Sequence, residues 1–341
     1  MDGIETTDLL GLHLENGLQK GWQNNGNDGE NKSMKVGLVD VDRTDFPNLV
    51  LMKLSAWYKA QGHETTLLHP ADVINGQNLF GECDEMIGAC VFDWNQHTCD
   101  LLEKCGVNIG GVGSKYKEKV LTEEQEHSFP DYSLYGITEK SFGFLTRGCP
   151  RHCPFCVVGD KEGLVSRKVA NLDEFWNGQK EIQILDPNIL ACDQHMELLQ
   201  QLAESGAWVE FNQGLDARML TEENIEMLKM IKIKRIHFAW DNPKDKRVPK
   251  ALEMFADKWG VKPGDHRIVV YVLTNYWSDL ESDLMRVYWL KWHGFSPYIM
   301  IFDKQNASKQ IRHLQRWVNN RYVFYKTPTF EEYKNNKEEH K

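Results

Sequence analysis

Short apolar runs recur along the chain at intervals that suit strands, and stretches with helical spacing lie between most of them. Lys35–Asp40 (KVGLVD) predicts a buried strand, because a run without polar alternation is what a strand covered on both faces carries. Asn48–Gln61 then has a helical pattern, with Pro47 near its start and Gly62 just past its end. Thr65–Leu68, Met86–Phe92 and Val107–Gly110 predict three more strands. Strands alternating with helices imply a parallel, Rossmann-like sheet.

A second alternation begins at Ser141. Strands are predicted at Phe142–Leu145, Glu181–Leu185, Trp208–Gln213, Arg235–Trp240, Ile268–Leu273 and Tyr298–Phe302. Helices are predicted at Leu172–Gln179, Gln194–Ser205, Thr221–Met230, Lys246–Trp259 and Leu280–His293. Thr221-Glu222-Glu223-Asn224 has the composition of a capped helix start with early carboxylates. The fold class is therefore α/β, with a division into residues 1–33, 34–128, 129–310 and 311–341. The first segment is polar and glycine-containing, a composition expected to be mobile, with a short helix around Leu9–Leu18. Residues 114–140 form a charged connector, in which Phe129-Pro130-Asp131-Tyr132 marks the approach to the second domain. The last segment starts with an amphipathic helix, Ile311–Trp317, turns through Asn319-Asn320-Arg321 and becomes charged.

Composition narrows the function classes. A formal charge of −10 gives no global attraction to nucleic acid or to an anionic membrane. Lys232, Lys234, Arg235, Lys244, Lys246, Arg247 and Lys250 concentrate positive charge locally. On an acidic chain this reads as solvated faces balanced by nearby acids, so nucleic acid is not indicated as a partner. No run of eighteen apolar residues exists, and no membrane association is expected. The acidic start, MDGIETTDLL, lacks the basic region of a secretory signal. Eight cysteines in a chain of this length fit a reducing cytoplasm better than a disulfide framework.

The chemistry gathers in Cys149-Pro150-Arg151-His152-Cys153-Pro154-Phe155-Cys156, where three cysteines fall at offsets of four and three. That spacing also suits one face of a helix. Gly148, Pro150 and Pro154 argue against a helix, since an interior proline costs roughly 3 kcal/mol. A loop leaving the end of a strand is expected instead, a usual cofactor position in α/β folds. Thiolates select zinc, copper(I) or iron–sulfur clusters. A closed zinc site needs four ligands, and three thiolates with one vacancy better suit a cubane cluster that keeps one iron open.

The CxxxCxxC spacing, with Phe155 before the third cysteine, resembles the cluster motif of radical S-adenosylmethionine (SAM) enzymes. Gly143-Phe144-Leu145-Thr146-Arg147-Gly148-Cys149-Pro150 is similar to the approach used by members with a cobalamin-binding-type N-terminal domain. The resemblance covers roughly residues 141–305 and, more weakly, 34–128. It implies that the six β/α units form a partial (β/α)6 TIM-type barrel; the amphipathic helix at Ile311–Trp317 reads as closing one edge of it. It implies a 4Fe–4S cluster on Cys149, Cys153 and Cys156, and SAM chelating the open iron. Reductive cleavage would then give methionine and a 5′-deoxyadenosyl radical that takes hydrogen from an unidentified substrate. A low-potential donor of flavodoxin or ferredoxin type would supply the electron.

In β/α barrels chemistry collects at the C-terminal strand ends. Asp186-Pro187-Asn188, Asn212 to Arg218, Asp241-Asn242-Pro243, Thr274-Asn275-Tyr276 and Asp303-Lys304 follow the later strands. Arg218 suits the SAM carboxylate by bidentate pairing. Gln213 or Asp241 suits the ribose hydroxyls, and Phe155 the adenine. Leu185-Asp186-Pro187-Asn188 stands where the family often has a Gly-Gly-Glu-type segment, so Asp186 or backbone carbonyls would take the amine. No residue is singled out as catalytic. Cobalamin is not expected, because Asp40-Val41-Asp42-Arg43-Thr44-Asp45 lacks the family's histidine. Gly110-Gly111-Val112-Gly113 departs from GxGxxG and reads as a tight turn. Two other readings remain: methylthiotransferase-like modification of RNA or protein, with Cys83, Cys90, Cys99 and Cys105 as candidates for a second site, or an electron carrier without SAM chemistry.

Overall fold

The computed structural model describes residues 33–76, 83–116 and 119–338. The helix expected around Leu9–Leu18, and the expected mobility of the N-terminal segment up to residue 32, lie outside the described residues. The chain divides into two compact units between Thr138 and Glu139.

The first unit holds a four-stranded parallel sheet. Its strands are β1 (Lys35–Asp40), β2 (Glu64–Leu68), β3 (Glu85–Ala89) and β4 (Asn108–Gly110), in the order β2-β1-β3-β4. Helices α1 (Leu49–Ala60), α2 (Pro70–Ile74) and α3 (Gln96–Lys104) connect them. Both faces are covered, which explains the uninterrupted apolar run of β1. Val36 and Leu38 pack with Leu51, Leu54 and Tyr58 of α1, and Val39 packs with Leu68, Val73 and Leu102 on the other side. Asn48 caps α1 by accepting from the Leu51 N–H, and His69 caps α2 by accepting from the Ala71 N–H. Asp42, in the loop after β1, accepts from the backbone N–H groups of Val91 and Phe92 and from Asn95. Gly111 has a φ of 98°, and a Cβ there would lie 2.4 Å from the Cys90 oxygen, so the glycine turn is a close backbone approach.

The short helix α4 (Glu123–Glu126) is closed by a capping box between Thr122 and Gln125. The segment after it belongs to the first unit. The Asp131 N–H donates to the Met52 carbonyl, its carboxylate accepts from Ser55 and Lys59, and the Tyr135 hydroxyl donates to Asp40. The division after Thr138 therefore falls ten residues beyond the 128/129 boundary that the sequence pattern suggested.

In the second unit six parallel strands pair in chain order: β5 (Lys140–Gly143), β8 (Glu181–Ile184), β9 (Trp208–Leu215), β10 (Lys232–Ala239), β11 (Ile268–Thr274) and β12 (Ser296–Ile301). Between β5 and β8 lie a two-stranded antiparallel ribbon, β6 (Thr146–Arg147) with β7 (Arg167–Lys168), and the short helix α5 (Val158–Glu162). The helix expected at Leu172–Gln179 is absent. A 3-10 turn at Leu172–Glu174 stands there, because Gly178 takes a φ of 110° and the Trp176 indole folds back to donate to the Gln179 carbonyl. Phe175 is buried and fills the space beside Gly143. Helices α6 (His195–Ser205), α7 (Glu222–Met230), α8 (Arg247–Trp259) and α9 (Leu280–Trp292) follow the next four strands and, with the sheet, bury one continuous apolar core.

After β12 come α10 (Lys309–Asn319), α11 (Arg321–Lys326) and α12 (Phe330–Glu338). The last two lie where the sequence reads as a charged tail. Phe324 and Phe330 flank the fully buried Trp317, with ring centroids 4.9 and 5.6 Å away. Asn319 donates to the Ile299 carbonyl and accepts from its N–H, so α10 satisfies the open edge of β12.

Candidate functional site at the cysteine loop

The loop Cys149–Cys156 leaves the β5 end of the sheet through β6. Two carboxylates fix it. Asp186, after β8, is buried. Its oxygens accept from the Leu145 N–H (2.7 Å), the Thr146 N–H (2.7 Å) and the Thr146 hydroxyl (2.6 Å). Burial pushes the Asp186 carboxyl up to about 7, against the pull of these donors and of Arg147. Glu162, at the end of α5, accepts from the Arg147 guanidinium and from the Gly148 N–H, both at 3.0 Å, while the Cys149 N–H donates to the Gly163 carbonyl. Gly148 is required sterically: its φ is 87°, and a Cβ would lie 2.1 Å from the Val165 oxygen. His152, at φ 42°, turns the backbone between the first two cysteines.

Residues from five strand ends of the sheet meet around this loop. The Asn188 amide, after β8, points its nitrogen at the Cys149 sulfur, 3.8 Å away, and its buried Oδ1 has no hydrogen-bond partner. Arg151 pairs with Asp216, after β9, at 3.4 Å. Asp241, after β10, lies within electrostatic reach of Cys153 and Arg151. Phe155 packs edge-on to Tyr276 and Trp277, after β11, with centroids 5.5 and 5.4 Å apart. Tyr276 in turn meets Phe302, after β12, at 4.6 Å.

The three thiols are free. Burial raises the Cys153 thiol, Arg151 opposes that rise, and Asp241, Cys156 and Cys149 add to it. The Cys153 sulfur thus lies within electrostatic reach of the other two. Burial likewise raises Asp241, against Arg151 and Arg286.

The geometry redistributes the expected roles. Asp186 is committed to backbone donors on the loop's approach, so its oxygens are already engaged. Arg218 is engaged too: it donates to both oxygens of Asp216 (2.8 and 2.7 Å) and to Asp245 (3.2 Å). Arg151, Asp216, Arg218, Asp245 and Arg247 form a chain of alternating charge, in which Arg247 and then Arg218 hold the Asp245 carboxyl well below the usual range. Gln213 is exposed in the irregular part of β9, and no hydrogen bond joins it to the loop among the described residues. Phe155 and Asp241 do lie at the loop. Sequence reasoning placed Asn188 among the strand-end candidates without a role of its own, and it missed Arg151, Glu162 and Arg286. The last is fully buried on α9 and donates to the carbonyls of Trp240, Asp241 and Leu273, tying the ends of β10 and β11 together.

In the first unit Cys90 and Cys99 are core residues, and the Cys90 thiol donates to the Phe92 carbonyl. Among the described residues, no group of three His, Cys, Asp or Glu is placed to hold a metal ion as the side chains stand. No helix among them is long and apolar enough to cross a membrane. The chain matches no family model and none of the curated proteins with which it was compared.

Proposed function

We propose that this chain is a radical SAM enzyme, with a 4Fe–4S cluster on Cys149, Cys153 and Cys156 and a second unit curved as a partial (β/α)6 barrel. The observation that carries the reading is a CxxxCxxC loop braced over the C-terminal ends of parallel strands, with three free thiols beside an arginine and an unpartnered buried amide oxygen. Those donors fit the cofactors. A cluster offers three separate metal atoms to three thiolates, and so asks for wider spacing than a single ion does. The reach of Phe155 is compatible with curvature. It leaves β5 and meets rings after β11, four strand positions away, which is roughly 19 Å in a flat sheet at about 4.8 Å per strand.

When bound, the cluster and SAM supply an electron and a carbon radical that takes hydrogen from substrate. The protein's part is positioning. Glu162, Asp186 and Gly148 hold the loop in one conformation. Phe155 and Tyr276 offer an aromatic wall for adenine. Asn188 Oδ1 is the free acceptor for an ammonium, in place of Asp186. Arg151 is the guanidinium beside the thiols, in place of Arg218. Asp241, held between Arg151 and Arg286, offers a carboxylate to ribose hydroxyls.

The cluster assignment has a direct test. Anaerobically reconstituted protein should carry about four irons per chain, and replacement of all three cysteines by Ala should remove them. Retention of that iron in the triple variant would sink the assignment.

A further inference from the structure

Beside the cysteine loop, the β10–α8 and β11–α9 connections enclose a cleft of about 620 Å³. One wall carries Lys244 and Lys246, both exposed and without an ion pair among the described residues. The structure here separates charges that run together in sequence. Lys234 pairs with Glu181, Arg235 with Glu210 and Arg247 with Asp245, whereas Lys244 and Lys246 carry no ion pair among the described residues. The β11–α9 connection carries Tyr276 and Trp277 into the same lining; their ring centroids are 4.9 Å apart, and Trp277 is 38% exposed. Asp279 and Ser282 also line the cleft; they cap α9 through a reciprocal pair of hydrogen bonds. Phe155 packs on Trp277, so the aromatic wall continues into the cysteine loop.

We infer that this cleft binds the substrate and that the substrate is a nucleotide, free or within a single strand. The three surfaces match its three parts. Unpaired ammonium groups suit a phosphate, the Asp279 carboxylate oxygen that the cap leaves free suits a ribose hydroxyl, and the exposed Trp277 indole suits a base, since stacking serves any base. An acidic peptide would use the lysines and leave the rings idle; an apolar ligand would do the reverse. The inference rests on the proposed chemistry for its consequence, because a base on Trp277 would lie beside the rings proposed for adenine, but not for the binding itself.

Two probes separate the sources: uridine 5′-monophosphate, followed by calorimetry, and a fluorescein-labelled ten-nucleotide single-stranded RNA, followed by anisotropy. Both are measured on the full-length reconstituted protein and on the cluster-free triple cysteine variant. At least one probe should bind both forms. Trp277→Ala should weaken it roughly 10-fold. The Lys244→Ala, Lys246→Ala double variant should do the same and, for RNA, flatten the logarithmic salt dependence by about 1.4, two contacts at about 0.7 each. Lys180→Ala, an exposed lysine paired with Glu139, should change nothing. Binding of the monophosphate identifies a free nucleotide, and binding of RNA alone identifies a strand. The inference is overturned if neither probe binds, if the cleft variants bind as wild type, or if Lys180→Ala weakens binding equally. Binding retained in a protein that never holds iron would overturn the cluster reading and leave the cleft intact.

Discussion

Asp186 shows how a residue can be right in place and different in role. Its position after the second strand of the sheet was legible from strand periodicity. Its partners were not, because they lie about forty residues away on the approach to the cysteine loop. The buried carboxyl takes its proton near pH 7, whereas in the unfolded chain it does so near 3.8. Between those values the folded chain holds a proton that the unfolded chain releases, so this group's contribution to stability falls as pH rises from about 4 to about 7. Asp186→Asn removes that titration and sets an amide against backbone donors, at a cost of about 1–3 kcal/mol. Urea unfolding at pH 5 and pH 7.5 should show a larger deficit for the variant at pH 5; an equal or smaller deficit there contradicts the assignment. Gly148→Ala forces a side chain into the Val165 carbonyl and should cost about 1–3 kcal/mol. It should also lower the iron retained per chain, read by unfolding and by iron assay on the same preparation.

At the scale of elements, the strands were readable because both sheets bury long apolar runs with helical stretches between them. The failures have local causes. Leu172–Gln179 has helical spacing, but Gly178 and the back-folded Trp176 end it after one turn. The C-terminal helices looked like a charged tail because α11 is only six residues long with a basic residue at each end and α12 is mostly charged and polar, and only Trp317 in space explains Phe324 and Phe330. Arg286 did leave a signal, a lone arginine in LMRVYWL three residues after an aspartate. Its function appears only in space, where α9 uses it to fasten two strand ends. Arg286→Met strands the buried Asp283 carboxylate and three strand-end carbonyls, and should cost about 3–5 kcal/mol. Conversion of Asp283→Asn in the same chain should recover part of that loss. A denaturation midpoint for Arg286→Met within error of wild type would show that the pair contributes nothing.

For the whole molecule, the two-part organisation was legible from the restart of the strand pattern at Ser141, but not the allegiance of the connector, which is decided by Asp131 and Tyr135 in contact with the first unit. Every side chain placed at the cysteine loop comes from the second unit. A fragment spanning residues 139–341 should therefore take up iron to the same ratio per chain as the full protein, measured after identical anaerobic reconstitution. The central claim is chemical. It is tested most directly by reducing the cluster-replete full-length protein with dithionite in the presence of SAM and quantifying 5′-deoxyadenosine by mass-resolved chromatography. The account predicts slow formation of 5′-deoxyadenosine, matched by methionine and abolished in the triple cysteine variant. Formation no greater than in an enzyme-free control would contradict it and favour an electron-carrying cluster without SAM chemistry.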